Sequence, residues 1–260
     1  MNSTRLFFAA FSILLLSVAT TRAESSWVSR AFSIFKSSPA AESAVGSAFA
    51  NADELAKALR EALAVSAERA LTALGQKGGF AHSERFQIPL PASVEKFRKP
   101  LALVNQDYRL DTFKATMNQA AEAGVAAAPG IVKDTINNLT LEDLNTLWKG
   151  EDDAITRFLE KQSRGTLAER MLPLIAQATD ASGATRSYKE MQSALPKAGG
   201  GFFSKVQALT GIAASDFDLD QYVNEQALDG LFGVMATEEK AIRENPLARS
   251  TNLLKKLFGG

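Results

Sequence analysis

Three acidic features of this chain have spacings that invite chemistry. Asp216, Asp218 and Asp220 alternate in the run DFDLDQY, as the first ligands of a calcium loop do. An EF-hand loop counted from Asp216 needs Gly at its sixth position and Glu at its twelfth. Those positions hold Gln221 and Ala227, so the acids read as caps favouring the positive end of the next helix. Glu151, Asp152 and Asp153 follow Gly150 in succession. Adjacent carboxylates suit metal binding or acid/base work. Consecutive helical residues do not face one another, however, and capping accounts for this run. Glu238 is the third feature. At a helical step of about 100° per residue, Val223, Ala227, Leu231, Val234 and Ile242 trace an apolar stripe with Glu238 near its middle. A carboxylate there needs a cation or hydrogen-bond donors, or its pKa rises. Arg69, Arg157 and Arg249 are candidate partners. Two roles stand for Glu238: a buried ion pair fixing helix register, or a carboxylate facing a ligand in a pocket.

Asn118 and Glu122 lie four residues apart at the edge of another apolar helix face. They suit a hydrogen-bond network between helices, or a polar niche for a ligand. Glu238, Asn118, Glu122 and Arg69 thus form the candidate ligand-binding set. No residue is assigned a catalytic role, and no metal site or cofactor is expected. The single histidine, His82, stands in a Gly-rich stretch and by itself argues for nothing, while His-rich zinc sites and His-paired serine mechanisms lack their residues. Asn138-Leu139-Thr140 fits a glycosylation sequon, but Thr140 is better explained as a helix cap.

The first 23 residues set the expected compartment. Arg5 precedes the apolar run Leu6 to Leu16, and Thr21-Arg22-Ala23 supplies small residues before a cleavage point. That is the layout of a secretory signal peptide. The run is shorter than the roughly 20 residues a spanning helix needs. The mature chain is therefore expected to start near Glu24 and to work in the periplasm. It has no cysteine, so neither disulfides nor a thiol nucleophile. The 29 basic and 29 acidic residues balance; without Arg5 and Arg22, 27 face 29, which speaks against a broad nucleic-acid surface.

The elements that must position the candidates are helices. Glu24 to Ala50 is a Ser/Ala-rich arm in which Trp27, Ala31, Ile34 and Phe35 share a face beside Arg30 and Lys36, either a loosely tied terminus or a small membrane-surface helix. Residues 51–260 form the expected domain. Asp53 is the expected cap of a helix carrying Leu55, Leu59, Leu63, Ala70 and Leu74, ended by Gly75. The Gly/Pro-rich stretch through Pro91 excludes regular helix. Further helices are expected over about 92–104, where Pro100 should kink or end the helix, over about 110–127, and from Pro129 to Asn138. Another starts at a Thr140/Asp143 capping box and ends at Gly150, and one starts at Asp152 or Asp153. A separate helix is opened by Thr166 and Glu169, and one spans about 185–194. After Gly199-Gly200-Gly201, Phe202 to Leu209 suits a turn or two. Asp218 or Asp220 caps the longest helix, to about Glu244, and a last amphipathic helix carries Leu253, Leu254, Leu257 and Phe258. Short loops between helices give an all-α, orthogonal or bundle-like domain.

Several of these segments carry a resemblance. EALAVSAERALTALG with GGF and IPLP (61–91), MNQAAE (117–122), TLEDL (140–144), GEDDAITRF (150–158), ALDGLF (227–232) and EEKAIRENPLARSTNLLKKLFG (238–259) resemble domain-of-unknown-function family 4197, exported bacterial proteins. The resemblance implies an all-helical envelope domain and carries over no functional residue. Three function classes follow: a non-catalytic envelope protein binding a partner protein, a lipid or a small ligand between helices; a hydrolase or lyase using carboxylates around Glu238 or Asp152 and Asp153; and a peripheral membrane protein touching lipid through its cationic amphipathic ends, the last being STNLLKKLFGG. An ion-paired, closed Glu238 favours the first, whereas an open cavity with a second acid within about 10 Å favours the second.

Overall fold

The computed structural model describes residue 49 and residues 51–141, 144–194 and 217–259, all within one compact unit, Val45–Gly260. The leader, the arm up to Ala48, Asp143, Asp216 and the turn expected after Gly201 lie outside the described residues.

The described residues are helical and contain no strand, as the periodicity requires. Helix α1 spans Ala52–Gly75. Its cap is Asn51, whose side chain accepts from Glu54 N at 2.9 Å; Asp53, the expected cap, sits within the first turn and favours the positive end of the helix dipole. The single helix expected over 92–104 is two short ones, α2 (Ala92–Glu95) and α3 (Arg98–Ala102). The break at Lys96-Phe97 places Pro100 in the first turn of α3, where its missing N–H costs nothing. Then come α4 (Tyr108–Ala126), α5 (Pro129–Asn137) and α6 (Leu144–Lys149).

Helix α7 runs unbroken over Ala154–Ala181. The helix start expected at Thr166 is absent. Leu159, Leu167, Met171 and Ile175 are all fully buried along one side of α7, and that continuous seam outweighs a local capping signal. Helix α8 covers Ala184–Ala194, and α9 covers Leu219–Glu244 with Asp218 as its cap, accepting from Gln221 N at 2.9 Å. A 3-10 turn, Pro246–Ala248, leads to α10, Asn252–Phe258.

Helix α9 is the spine, packed along α7 and α1, while α4 packs against α7, α1 and α8. One apolar core runs through these helices. The C-terminal helix docks on α1 with Leu254 and Leu257 buried, and Trp148 Nε1 donates to Leu257 O at 2.6 Å. The apolar stripe of STNLLKKLFGG is thereby spent inside the domain.

Candidate functional site

The buried acid of the spine is Glu239. Its carboxylate, 2% exposed, accepts from Ile155 N at 3.1 Å and Thr156 N at 2.7 Å, the free donors of the first turn of α7. Arg243, one turn further along α9, pairs with it at 2.8 Å and donates to Leu147 O and Trp148 O at the end of α6. The guanidinium also lies 4.9 Å from the centre of the Phe258 ring. One acid and one base therefore tie together four helix ends.

Glu238 has the smaller part. It pairs with Arg69 at 3.0 Å, and the two side chains are 29% and 32% exposed. Arg69 also donates to Ala248 O at 2.8 Å, pinning the 3-10 turn to α1. Of the other candidate partners, Arg157 faces Glu151 at 2.7 Å and Asp153 at 2.9 Å, and Arg249 caps α9 by donating to Ile242 O and Arg243 O.

Asn118 and Glu122 are buried, and both serve the Gly/Pro-rich segment instead of a neighbouring helix. Asn118 accepts from Ile88 N at 2.9 Å and donates to Ile88 O at 3.0 Å, reproducing a backbone partner. Glu122 Oε1 accepts from Phe80 N at 3.2 Å and Ala81 N at 3.0 Å. From the other side, Tyr222 Oη donates to Pro89 O at 3.0 Å. Two glycines of α9 receive the segment's rings. A Cβ on Gly230 would stand 2.6 Å from Phe80, and one on Gly233 would stand 2.4 Å from Phe86. Residues 76–91 are thus a strap fastened between α4 and α9. The sequence signal was present, because glycines inside a long helix mark close approach. His82, on the strap, is exposed.

Glu151, Asp152 and Asp153 border a charged cleft of about 550 Å³ that also presents Arg157, Lys240 and Arg85. Its acids are spoken for: Asp152 pairs with Lys240 at 2.9 Å, and the other two with Arg157. Hydrogen bonds to Asp153 raise the Arg157 pKa above its ordinary value, and those to Asp152 do the same for Lys240. Both cations stay charged, and the cleft is electrically balanced.

A larger concavity, about 700 Å³, lies between α1 and α5. Its floor is apolar, with Ala67, Leu71, Val132 and Ile136 all buried. Small residues set its width. Gly75 closes one end against Ala126: a Cβ there would stand 3.0 Å from Ala126 Cα. Glu68 and Lys133 stand on the rim, exposed, and neither has an ion-pair partner among the described residues. Of these residues the sequence marked only Gly75, as a helix end, and Glu238, Asn118, Glu122 and Arg69 are not part of the lining.

A family model described as "Protein of unknown function (DUF4197)" matches residues 50–259. The chain belongs to that family. The match spans every helix above and agrees with the resemblance carried by the quoted segments. No curated protein and no solved structure matches the chain.

Proposed function

We propose that this member of the family is an exported, non-catalytic binding protein of the cell envelope, and that its ligand lies in the groove between α1 and α5. The groove carries this reading. Its volume, about 700 Å³, falls within the range of small-molecule sites, and its buried apolar floor beneath a polar rim is their usual composition. The groove suits an amphipathic molecule with a chain-like apolar body, such as a lipid acyl group, whose polar end reaches Glu68 or Lys133. The Arg5-to-Ala23 leader supports export, and N-terminal sequencing of the mature protein should begin near Glu24.

The carboxylate-enzyme reading draws less support. Glu238, Asp152 and Asp153 each face a cation at 3.0 Å or less, and Glu238 lines none of the described cavities. A titration with a fluorescent fatty acid tests the proposal. Saturable binding should be abolished by Ala64→Trp, which fills the groove from its exposed wall without touching the core. Unsaturable binding, or binding that Ala64→Trp leaves unchanged, would overturn it.

A further inference from the structure

The groove between α1 and α5 carries a charge pattern that its apolar floor does not require. Of its lining residues only Glu68 and Lys133 are charged, one on each wall. The two helices run antiparallel along it. Gly75 meets Ala126 at one end, and beyond the other end Arg60 Nη2 donates to Leu139 O at 2.9 Å. Glu68 lies about midway along α1 between Arg60 and Gly75, and Lys133 about midway between Ala126 and Leu139. The acid and the base therefore stand at one level on opposite walls. Both are exposed, and neither forms an ion pair among the described residues, with the other or with anything else. The adjacent charges are engaged elsewhere, Arg69 on Glu238 and Asp134 on Arg170. Glu61 and Lys77, of opposite sign and past the two ends of the α1 wall, are not part of the lining. Ala67 and Leu71 are one turn apart on α1, and Val132 and Ile136 one turn apart on α5, so each wall gives the floor a single row. A floor of that width seats one apolar chain.

We propose that the groove takes a single-chain zwitterionic amphiphile, its ammonium group on Glu68 and its anionic group on Lys133. This rests on the groove being the ligand site, and names the ligand by its head. An anionic head satisfies Lys133 but brings a like charge beside Glu68, and a cationic head does the reverse. A head that carries both charges pairs with both rims, and complementarity of this kind supplies selectivity more than affinity. Exposed ion pairs are weak, each worth up to about fivefold in affinity. The apolar floor therefore holds the ligand, and the rims choose its head.

The test is isothermal titration calorimetry with three amphiphiles of one chain length, each below its micelle concentration: lauroyl lysophosphatidylethanolamine, lauroyl lysophosphatidylglycerol and dodecyltrimethylammonium. The parent should bind the zwitterion roughly two- to fivefold more tightly than either charged analogue. Glu68→Gln should cancel the advantage over the anionic analogue, and Lys133→Gln the advantage over the cationic one. Glu68→Lys combined with Lys133→Glu keeps one acid and one base across the groove. That double variant should keep the preference, because the head can turn round. All these variants should melt with the parent, since both side chains are exposed and unpaired. Equal binding of the three amphiphiles by the parent, or tighter binding of a charged one, would overturn the zwitterion assignment, as would loss of the preference in the double variant. If Ala64→Trp abolished that unselective binding, the groove would stand as the ligand site without its head selectivity. Binding of none of the three would overturn both readings and leave the groove to a protein segment.

Discussion

Replacing Glu239 by alanine should damage the fold far more than replacing its neighbour Glu238, and the contrast can be sized. Glu239→Ala strips two backbone donors of α7 of their acceptor and leaves Arg243, 9% exposed, without its counter-charge. Breaking a buried pair from one side typically costs about 3–5 kcal/mol. Arg243 keeps its bonds to Leu147 O and Trp148 O, which favours the lower part of that range. The Arg69–Glu238 pair is about one-third exposed on each side, so solvent screens it, and Arg69 retains Ala248 O. Glu238→Ala should therefore cost about 1 kcal/mol or less. With a urea slope near 2 kcal/mol/M, the midpoint should fall by about 1.5–2 M for Glu239→Ala and by under about 0.5 M for Glu238→Ala. Circular dichroism in urea reads both. Equal shifts, or the reverse order, would refute the assignment of Glu239 as the acid that ties the helix ends together.

The two glycines of α9 should separate in the same assay. Phe80 is fully buried and cannot swing aside, so Gly230→Ala should cost about 1–3 kcal/mol; Phe86 is partly exposed, so Gly233→Ala should be nearly neutral, aided by better helix propensity. Asn118→Ala leaves the buried Ile88 N–H and C=O unpaired, should cost about 2–3 kcal/mol, and should speed amide hydrogen exchange across the strap. Burial raises the pKa of both Tyr188 and Tyr222. Their protonated form is favoured in the folded chain, so stability should hold below the unfolded tyrosine value near 10 and fall as pH rises above it. Tyrosinate absorbance should then titrate at higher pH in the folded chain than in urea, and coincident curves would count against the burial of these rings.

The helical class and most helix ends were legible because burial on one face imposes the periodicity that sequence shows. Asp218 and Pro129 sit where capping chemistry puts them, whereas the cap of α1 is Asn51, two residues before the expected Asp53. The misreadings came from local signals overruled at a distance. The Thr166 and Glu169 pair looked like a start, yet the seam on α7 carried the helix through. The stripe on α9 was drawn from Leu231 to Val234, which is only partly buried. Continuing in steps of four from Val223 through Ala227, Leu231 and Met235 arrives at Glu239, with Arg243 four residues beyond as its readable partner. The groove was not legible, because its width depends on how α1 and α5 meet at Gly75 and Ala126, a contact between segments far apart in sequence.

Native mass spectrometry of the protein recovered from its own envelope tests the binding proposal most directly. The parent chain should carry a co-purifying adduct with the mass of an apolar, lipid-like molecule, and Ala64→Trp, folded to the same melting temperature, should fly without it. A bare parent mass, or an adduct that persists in Ala64→Trp, would contradict the proposal that the groove between α1 and α5 is the working site of this protein.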